Sequence, residues 1–394
     1  MSLNDDVLAE DYPQDQLIDY AEISDVHRSR RINWQSPAPF ANAPSRARRR
    51  VLKGDVIVST VRTYLRAVAQ IETLPANPVV STGFAVLRPR CIDSRFLGYI
   101  ATSQEFVESV VSRSVGVSYP AINASEILNI HVPVPPLADQ RRIADYLDRE
   151  TAEIDKFTSD LSALRKLSLE RRRSFAAHLL QEPHLTRASS HSTWQKTTLG
   201  KVVEIGRGQV DPSMEAYRNL PLIAPNHIEA RTGRLISLET AEEQGAESGK
   251  YLSEKGAILF SKIRPALLKS VIAPARTLCS ADMYVLQPNR EFLTPGYLLQ
   301  YLLSLEFEFY ASSSSERVAM PKLNRESLAA APISLPSLER QYAITEELSE
   351  QENQVYTLIA DIDEALQLAK EHRSALISAA VTGKLDVTSK EAVA

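Results

Sequence analysis

Apolar residues recur at intervals of seven along two stretches that lie about 200 positions apart. In the first, Leu147, Ile154, Leu161, Ser168 and Phe175 mark one seam, while Ile143, Phe157 and Leu164 fill most of a second. In the other, Leu348, Val355, Ile362, Ala369 and Leu376 do the same, joined by Ile344, Leu358 and Ala365. Neither Gly nor Pro interrupts the run from Ala138 to Gln181, and the remaining faces are mostly charged. Two apolar positions per heptad make the narrow stripe of a coiled coil, not the wider face of a globular helix. The pattern predicts two helices of about 40 residues, each about 60 Å long, which bury their stripes against each other. Packing of each helix on its own domain, or of its outer parts on another chain, is the alternative.

The doubling extends beyond the helices. "PVPPLADQRRIADYLDRE" (Pro133–Glu150) is answered 201 positions later by "SLPSLERQYAITEELSEQ" (Ser334–Gln351). "GDVIVSTVRTYLRAV" (Gly54–Val68) parallels "GAILFSKIRPALLKS" (Gly256–Ser270), "FAVLRP" (Phe84–Pro89) parallels "MYVLQP" (Met283–Pro288), and "SYPAIN" (Ser118–Asn123) parallels "AMPKLN" (Ala319–Asn324). Matching order with small drifts in offset means duplication with loop insertions and deletions. Ahead of each helix, short β-type runs (Val56–Val61, Ala257–Ile263) alternate irregularly with amphipathic helical stretches (Phe96–Val111, Pro295–Tyr310), which reads as α+β. Proline then breaks regular structure in "VPVPPL" and "ISLPSL".

With 394 residues the chain has room for two or three domains, and it holds no apolar run of membrane-spanning length. Two distant cysteines, Cys91 and Cys279, beside no histidine cluster, point to a reducing cytoplasm and away from zinc or a disulfide framework. The net charge of −4 hides a segregation. The first 25 residues carry eight acids and no bases, whereas Val26–Pro135 carries fourteen Lys/Arg against six Asp/Glu. A basic face of this kind is what a nucleic-acid binder needs, whatever its total charge.

Catalytic signatures are missing. "ESGKYL" and "TGKLD" lack the first glycine and the Ser/Thr of a phosphate loop, and no GxGxxG opens a helix. "NPVV" (Asn77–Val80) lacks the second proline and the aromatic of a DNA amino-methyltransferase motif. What remains is a pair of binding modules. In the first, "HRSRRINW" (His27–Trp34), "SRARRR" (Ser45–Arg50) and "STVRTYLR" (Ser59–Arg66) hold nine arginines. In the second, "NHIEARTGR" (Asn226–Arg234) and "SKIRPALLK" (Ser261–Lys269) hold fewer. Arginine can clamp phosphate and read guanine bidentately. Arg62 and Arg264 stand out because both follow a strand at the same place in the repeat; pairing with a carboxylate is their structural alternative. Candidate DNA contacts are Arg28, Arg48, Arg49, Arg62, Tyr64 and Arg66 in the first module, and Lys262, Arg264 and Lys269 in the second.

The doubled Pro-x-Leu…Gln helix start, "LERRRSFAAHLL", "HRSALISAAVTGKLDV" and "LKGDVIVSTVRTYLR" together resemble the specificity subunit of type I restriction–modification systems, from about Ile18 to Val387. The resemblance implies an α+β fold of two target recognition domains, separated by two long antiparallel coiled-coil helices with internal pseudo-two-fold symmetry. Its expected boundaries here are residues 1–135 and 191–337 for the recognition domains, and 136–190 and 338–394 for the helices. It also implies a non-catalytic, cytoplasmic protein that binds a bipartite double-stranded DNA site. Its partners would be two modification subunits carrying S-adenosylmethionine, and restriction subunits using ATP and Mg. A coiled-coil adaptor that joins proteins without touching DNA is the rival. One departure stands out. The second module begins "WQKTTLGKVVEIGRGQ" (Trp194–Gln209), and the acidic "MSLNDDVLAEDYPQD" at the start of the chain does not resemble it. Either the start is assigned too late, or the first module lacks that strand and exposes an edge.

Overall fold

The computed structural model describes residues 1–26, 32–116, 118–181, 194–315 and 321–387. The chain divides into two compact units: Met1–Ser162 with Asp363–Ala394, and Ala163–Ile362. Each unit therefore combines a globular part with a piece of both long helices.

Unit 1 runs through β1 (Ser2–Leu3), β2 (Leu17–Ala21), β3 (Ala38–Pro39), β4 (Ala47–Arg50), β5 (Val56–Ser59), β6 (Val68–Gln70), β7 (Pro78–Ser81) and β8 (Phe84–Arg88). Then come α1 (Ser94–Thr102), α2 (Gln104–Ser112), α3 (Ala124–Ile127) and the first part of α4 (Leu137–Leu179). One sheet has the order β1-β8-β5-β6 and is antiparallel throughout; the other, β3-β2-β7-β4, contains a parallel β2–β7 pair.

Unit 2 repeats the plan. It contains β9 (Gln195–Thr198), α5 (Leu199–Val202), β10 (Val203–Ile205), β11 (Leu222–Ile223), β12 (Tyr251–Ser253), β13 (Ile258–Ser261), β14 (Ser270–Ile272), β15 (Thr277–Cys279) and β16 (Met283–Pro288). After these come α6 (Pro295–Leu302), α7 (Leu305–Ser313), α8 (Arg325–Ala330), β17 (Pro332–Leu335) and the start of α9 (Leu338–Val381). The sheet β10-β16-β13-β14 has the order of its unit 1 counterpart, and β11-β15-β12 again carries a parallel pair flanked by an antiparallel strand. A two-stranded β17-β9 sheet has no equivalent among the described residues of unit 1.

In each unit the central strand is buried at every position. Side chains alternate across a strand, so each of the two strands serves two cores. Val56 and Val58 pack with α1 and α2, while Ile57 packs toward the second sheet with Ala21 and Val80. In unit 2, Ile258 and Phe260 join the helix-side core, while Leu259 joins Ile223 and Cys279. That double coverage explains why these runs read as continuously apolar.

Each amphipathic stretch expected as one helix is in fact two. Ser103 and Ser304 break them, and each hydroxyl caps the following helix by accepting from the amide of Phe106 or Phe307. Serine competes locally with helical bonding and favours the cap.

The doubled Pro…Gln phrase has a structural cause. Gln140 Oε1 accepts from the Asp93 amide at 2.8 Å and its Nε2 donates to Pro135 O at 2.8 Å. Gln341 Oε1 accepts from the Thr294 amide at 2.9 Å, and its Nε2 donates to Phe292 O at 2.8 Å and Pro336 O at 3.0 Å. Asp93 and Thr294 are the N-caps of α1 and α6. One buried amide thus ties the start of each long helix to the start of a domain helix.

The helices meet in opposite directions within each unit. In unit 1, Arg373 near the end of α9 bonds Asp155 in the first half of α4 at 3.1 Å. In unit 2, Arg172 near the end of α4 bonds Glu352 at 2.6 Å and also donates to Arg231 O. Among the proposed seam residues, Ile143, Leu147, Ile344, Leu348 and Ile362 are buried, and Ile154, Leu161 and Val355 are half-buried. Phe157, Leu164 and Leu358 are exposed, at 51%, 43% and 39%. Ala144, Thr151 and Ile359, which lie outside the two expected seams, are buried as well, and so is Ala369.

Of the entry element Trp194–Gln209, the first module has a counterpart of the second strand, β10, but among its described residues none of β9. Ser2 and Leu3 pair with Arg88 and Leu87, as Glu204 and Ile205 pair with Gln287 and Leu286. The amides of Asn4 and Gly206 continue both ladders, donating to Val86 O and Val285 O. β1 is therefore the register equivalent of β10. The acidic sequence hid it because a two-residue strand needs no apolar run.

Replacing Gln140 or Gln341 by alanine leaves backbone groups at two helix starts without partners. Each change should cost about 1–3 kcal/mol, read as a lowered urea midpoint; an unchanged midpoint would refute the tie.

Candidate nucleic-acid interface

Directly after each central strand the chain makes the same tight turn. Ser59 Oγ donates to Val61 O at 2.6 Å, and Ser261 Oγ donates to Ile263 O at 3.0 Å. Arg62 and Arg264 follow in the left-handed region, with φ of 52° and 47°. A single 3-10 turn, Thr63–Leu65 or Pro265–Leu267, leads to a second left-handed residue, Arg66 or Leu268. The Arg62 amide donates to Pro120 O at 2.8 Å and the Arg264 amide to Pro321 O at 2.9 Å. Bridges between Val61 and Ala121, and between Ile263 and Lys322, hold the same two loops together.

Left-handed backbone costs a residue with a Cβ about 1–2 kcal/mol. Two such residues in each of two turns, none of them glycine, is strain retained at matching places, and retained strain of this kind concentrates at functional positions. Both arginines are exposed, and among the described residues no carboxylate forms an ion pair with either. The Arg62 guanidinium lies 4.6 Å from the Tyr119 ring centroid, and Tyr119 is 62% exposed. Tyr64 is 49% exposed beside it, and Arg66 is exposed as well. Unit 1 thus places two arginines and two aromatic rings on one turn-and-loop surface, where cation and π-face are both open to a ligand. Tyr119 escaped the sequence reading although it sits in the repeated "SYPAIN" segment; its immediate neighbour Pro120, which anchors Arg62, was the available signal.

Arg49 and Lys269 are spent elsewhere, while Arg48 and Lys262 are half-buried over aromatic rings. Arg49 points inward, donating to Asn4 Oδ1 and Phe84 O, and burial pulls its guanidinium below the ordinary arginine range. Arg48 is half-buried over the Phe40 ring at 4.7 Å. Lys269 donates to Pro225 O at 2.6 Å, which ties two loops of unit 2. Lys262 is half-buried, 5.6 Å from the Tyr284 centroid. Arg325 covers the same ring and donates to Ile205 O and Gly206 O, a structural role. Arg28 lies outside the described residues. The structure thus brings Arg62, Tyr64 and Arg66 together on unit 1 and leaves Arg264 at the same turn on unit 2, while Arg49 and Lys269 hold the fold.

No group of His, Cys, Asp and Glu among the described residues could hold a metal ion. Burial pushes the Cys279 thiol up to about 12, so it is not a nucleophile at neutral pH. Among the described residues no helix is long and apolar enough to cross a membrane.

These features define a duplicated protein that offers one strained, arginine-bearing turn on each of two α+β parts. The family profile described as "Type I restriction modification DNA specificity domain" matches residues 49–163 and 191–368, and the chain belongs to that family. It is 25% identical over 327 residues to the type I restriction enzyme EcoDI specificity subunit of Escherichia coli, covering 76% of this chain and 72% of that one. To the EcoKI specificity subunit of E. coli K12 it is 24% identical over 245 residues, 60% of this chain and 51% of the relative. Among solved structures, a chain from a study of complex assembly and conformational transition of the type I R-M system superposes with a TM-score of 0.74 at 22% identity, covering 94% of this chain and 93% of that one. The HsdS subunit of Thermoanaerobacter tengcongensis gives 0.51 at 24% identity, covering 97% and 96%. Both share the fold.

Two substitutions separate strain from recognition. Arg264→Gly relieves the backbone, since glycine adopts positive φ freely, and should raise Tm while weakening binding to a cognate duplex by about 1–3 kcal/mol. Unchanged affinity at fixed salt would remove Arg264 from the interface, and a lowered Tm would remove the strain argument. Lys269→Ala should do the reverse, lowering Tm with affinity unchanged; a loss of affinity at unchanged Tm would return Lys269 to the interface.

Proposed function

We propose that this protein is the DNA-sequence-specificity subunit of a type I restriction–modification complex, and that it directs adenine methylation and restriction carried out by partner subunits. The single observation that carries the reading is the strained arginine turn, present once per unit in the same geometry. A bipartite double-stranded site calls for two modules of one design, and the two turns meet that need. On this reading the recognition domains are residues 1–135 and 191–337, and residues 136–190 and 338–394 form the helical frame.

Base reading falls first to Arg62, Tyr64 and Arg66 in one half-site and to Arg264 in the other. Lys262 and Arg48, each half-buried over an aromatic ring, serve phosphates rather than bases, lysine acting as a point charge. The chain itself performs no chemistry. S-adenosylmethionine belongs to two modification subunits, and ATP and Mg belong to restriction subunits; the complex works in the cytoplasm. An internal repeat suits two copies of one partner, because pseudo-two-fold related surfaces offer the same contacts twice.

Genome-wide mapping of methyladenine, in cells that express the chain with its modification subunit, tests the reading. The expected result is a split motif of two short defined blocks and a fixed unspecified gap. A stable complex that methylates nothing and retards no duplex would favour instead a protein–protein adaptor, the reading that the net negative charge suits.

A further inference from the structure

Among the described residues the Arg62 guanidinium has no hydrogen-bond or ion-pair partner; it lies over the Tyr119 ring, 4.6 Å from the centroid. The loop that carries the ring is bonded to the turn that carries the arginine. Val115 and Ala121 exchange both backbone bonds, at 2.8 and 3.0 Å. The Arg62 amide donates to Pro120 O at 2.8 Å, and the Ile122 amide donates to Thr60 O at 2.9 Å. Thr63 Oγ1 and Ser114 Oγ meet at 2.8 Å. Tyr119 immediately precedes Pro120, and a proline narrows the backbone freedom of the residue before it. The carbonyl that anchors the Arg62 backbone is therefore joined directly to the ring that covers the Arg62 side chain.

A guanidinium stacked on a ring gives up one face and keeps its edge, where the N–H donors lie. Stacking thus removes rotamer freedom without using a donor. A fork fixed in this way matches the O6 and N7 of guanine, which accept two bonds side by side in the major groove. Phosphate accepts the same fork, but phosphate contacts also draw on backbone amides and hydroxyls, and here those are spent. The amides of Arg62, Leu65 and Arg66 donate to Pro120 O, Arg62 O and Thr63 O. Ser59 Oγ donates to Val61 O, and Ser114 Oγ donates to Val110 O. The repeat adds a contrast. At the offset of 201, Tyr119 corresponds to Met320, which lies outside the described residues and carries no ring. The arginine is doubled in the chain; its aromatic platform is not.

We propose that Tyr119 is a positioning residue whose ring holds the Arg62 guanidinium edge-on to a guanine, which Arg62 reads through O6 and N7 in the half-site of unit 1. This role rests on the DNA-binding reading above, and adds to it the base that is read and the residue that fixes its reader. Arg264 works without such a platform, so the need for a ring is confined to one block of the site.

The test uses full chains with Tyr119→Phe, Tyr119→Met and Arg62→Gly, each expressed with the modification subunit beside the parent. Methyladenine is mapped, and each complex is titrated with the parent duplex and with duplexes changed at single positions of the block. The parent motif is expected to hold a guanine at the position that Arg62→Gly relaxes. Tyr119→Phe keeps the ring and should leave motif and affinity unchanged. Tyr119→Met copies unit 2 and should relax that same guanine alone, with Tm and the other block unchanged. Discrimination there should fall about threefold or more, as for loss of a cation–π contact. A different base at that position, or relaxation elsewhere, would overturn the proposal. So would equal weakening on every duplex, which marks a phosphate contact, or a Tyr119→Phe chain as impaired as Tyr119→Met, which would shift the role to the hydroxyl. A lowered Tm with discrimination intact would make Tyr119 structural only. A parent that methylates no split motif and binds no duplex would overturn the DNA-binding reading and this role with it, whereas an intact split motif indifferent to Tyr119→Met would overturn this role alone.

Discussion

The constraint on which the rest depends is the burial of one four-residue strand on both faces, once in each unit. β5 and β13 have no solvent side, so a layer must cover each face. Helices α1 and α2, or α6 and α7, cover one, and a second sheet with a parallel pair covers the other. A strand held this way has fixed register, because a slip of one residue would exchange its two cores. Its C-terminal end is therefore a rigid platform, and the strained turn begins there. Strain persists only where the surroundings over-determine it; here the central strand holds one end of the turn and the Pro120 or Pro321 loop holds the other.

The same logic extends to the helices. Gln140 and Gln341 each tie the start of a long helix to the N-cap of a domain helix. In unit 2 a second tie runs through charge: Glu308 accepts from both Arg173 and Arg231, and Arg172 spans Glu352 and Arg231 O. The guanidinium groups of Arg172 and Arg234 both lie over the Tyr356 ring, 5.4 and 4.7 Å from its centroid. Within unit 2 the orientation of the recognition part relative to its helices is thus set by bonded groups, not by apolar contact alone. A module that must present one turn to a ligand gains from a base that does not rock.

Much of this was legible in the sequence because duplication is its own control. The repeat placed β5 and β13, the paired helices and the Ser-x-x-Arg turns, since each signal could be checked against its copy. The long helices were legible through their heptads, but the details of their contact were not. Phe157, Leu164 and Leu358 fit the seven-residue period and yet lie exposed, while Ala144, Thr151 and Ile359, off the expected seams, are buried; the period alone does not encode which positions meet. Arg49 and Lys269 read as candidate DNA contacts. Only the fold shows that carbonyl oxygens claim them, since a carbonyl acceptor leaves no mark in the side-chain pattern. β1 was missed because its pairing is carried by backbone bonds. Its side chains, Ser2 and Leu3, say nothing.

The central account is that each strained arginine turn reads one half of a divided DNA site. Its most direct test is the methylation motif produced by Arg62→Gly and Arg264→Gly chains, each expressed with the modification subunit and mapped against the parent. The account predicts that each substitution relaxes base preference in one block only, a different block for each, with the gap unchanged. Relaxation of both blocks by either change, or an unaltered motif in both, would contradict it.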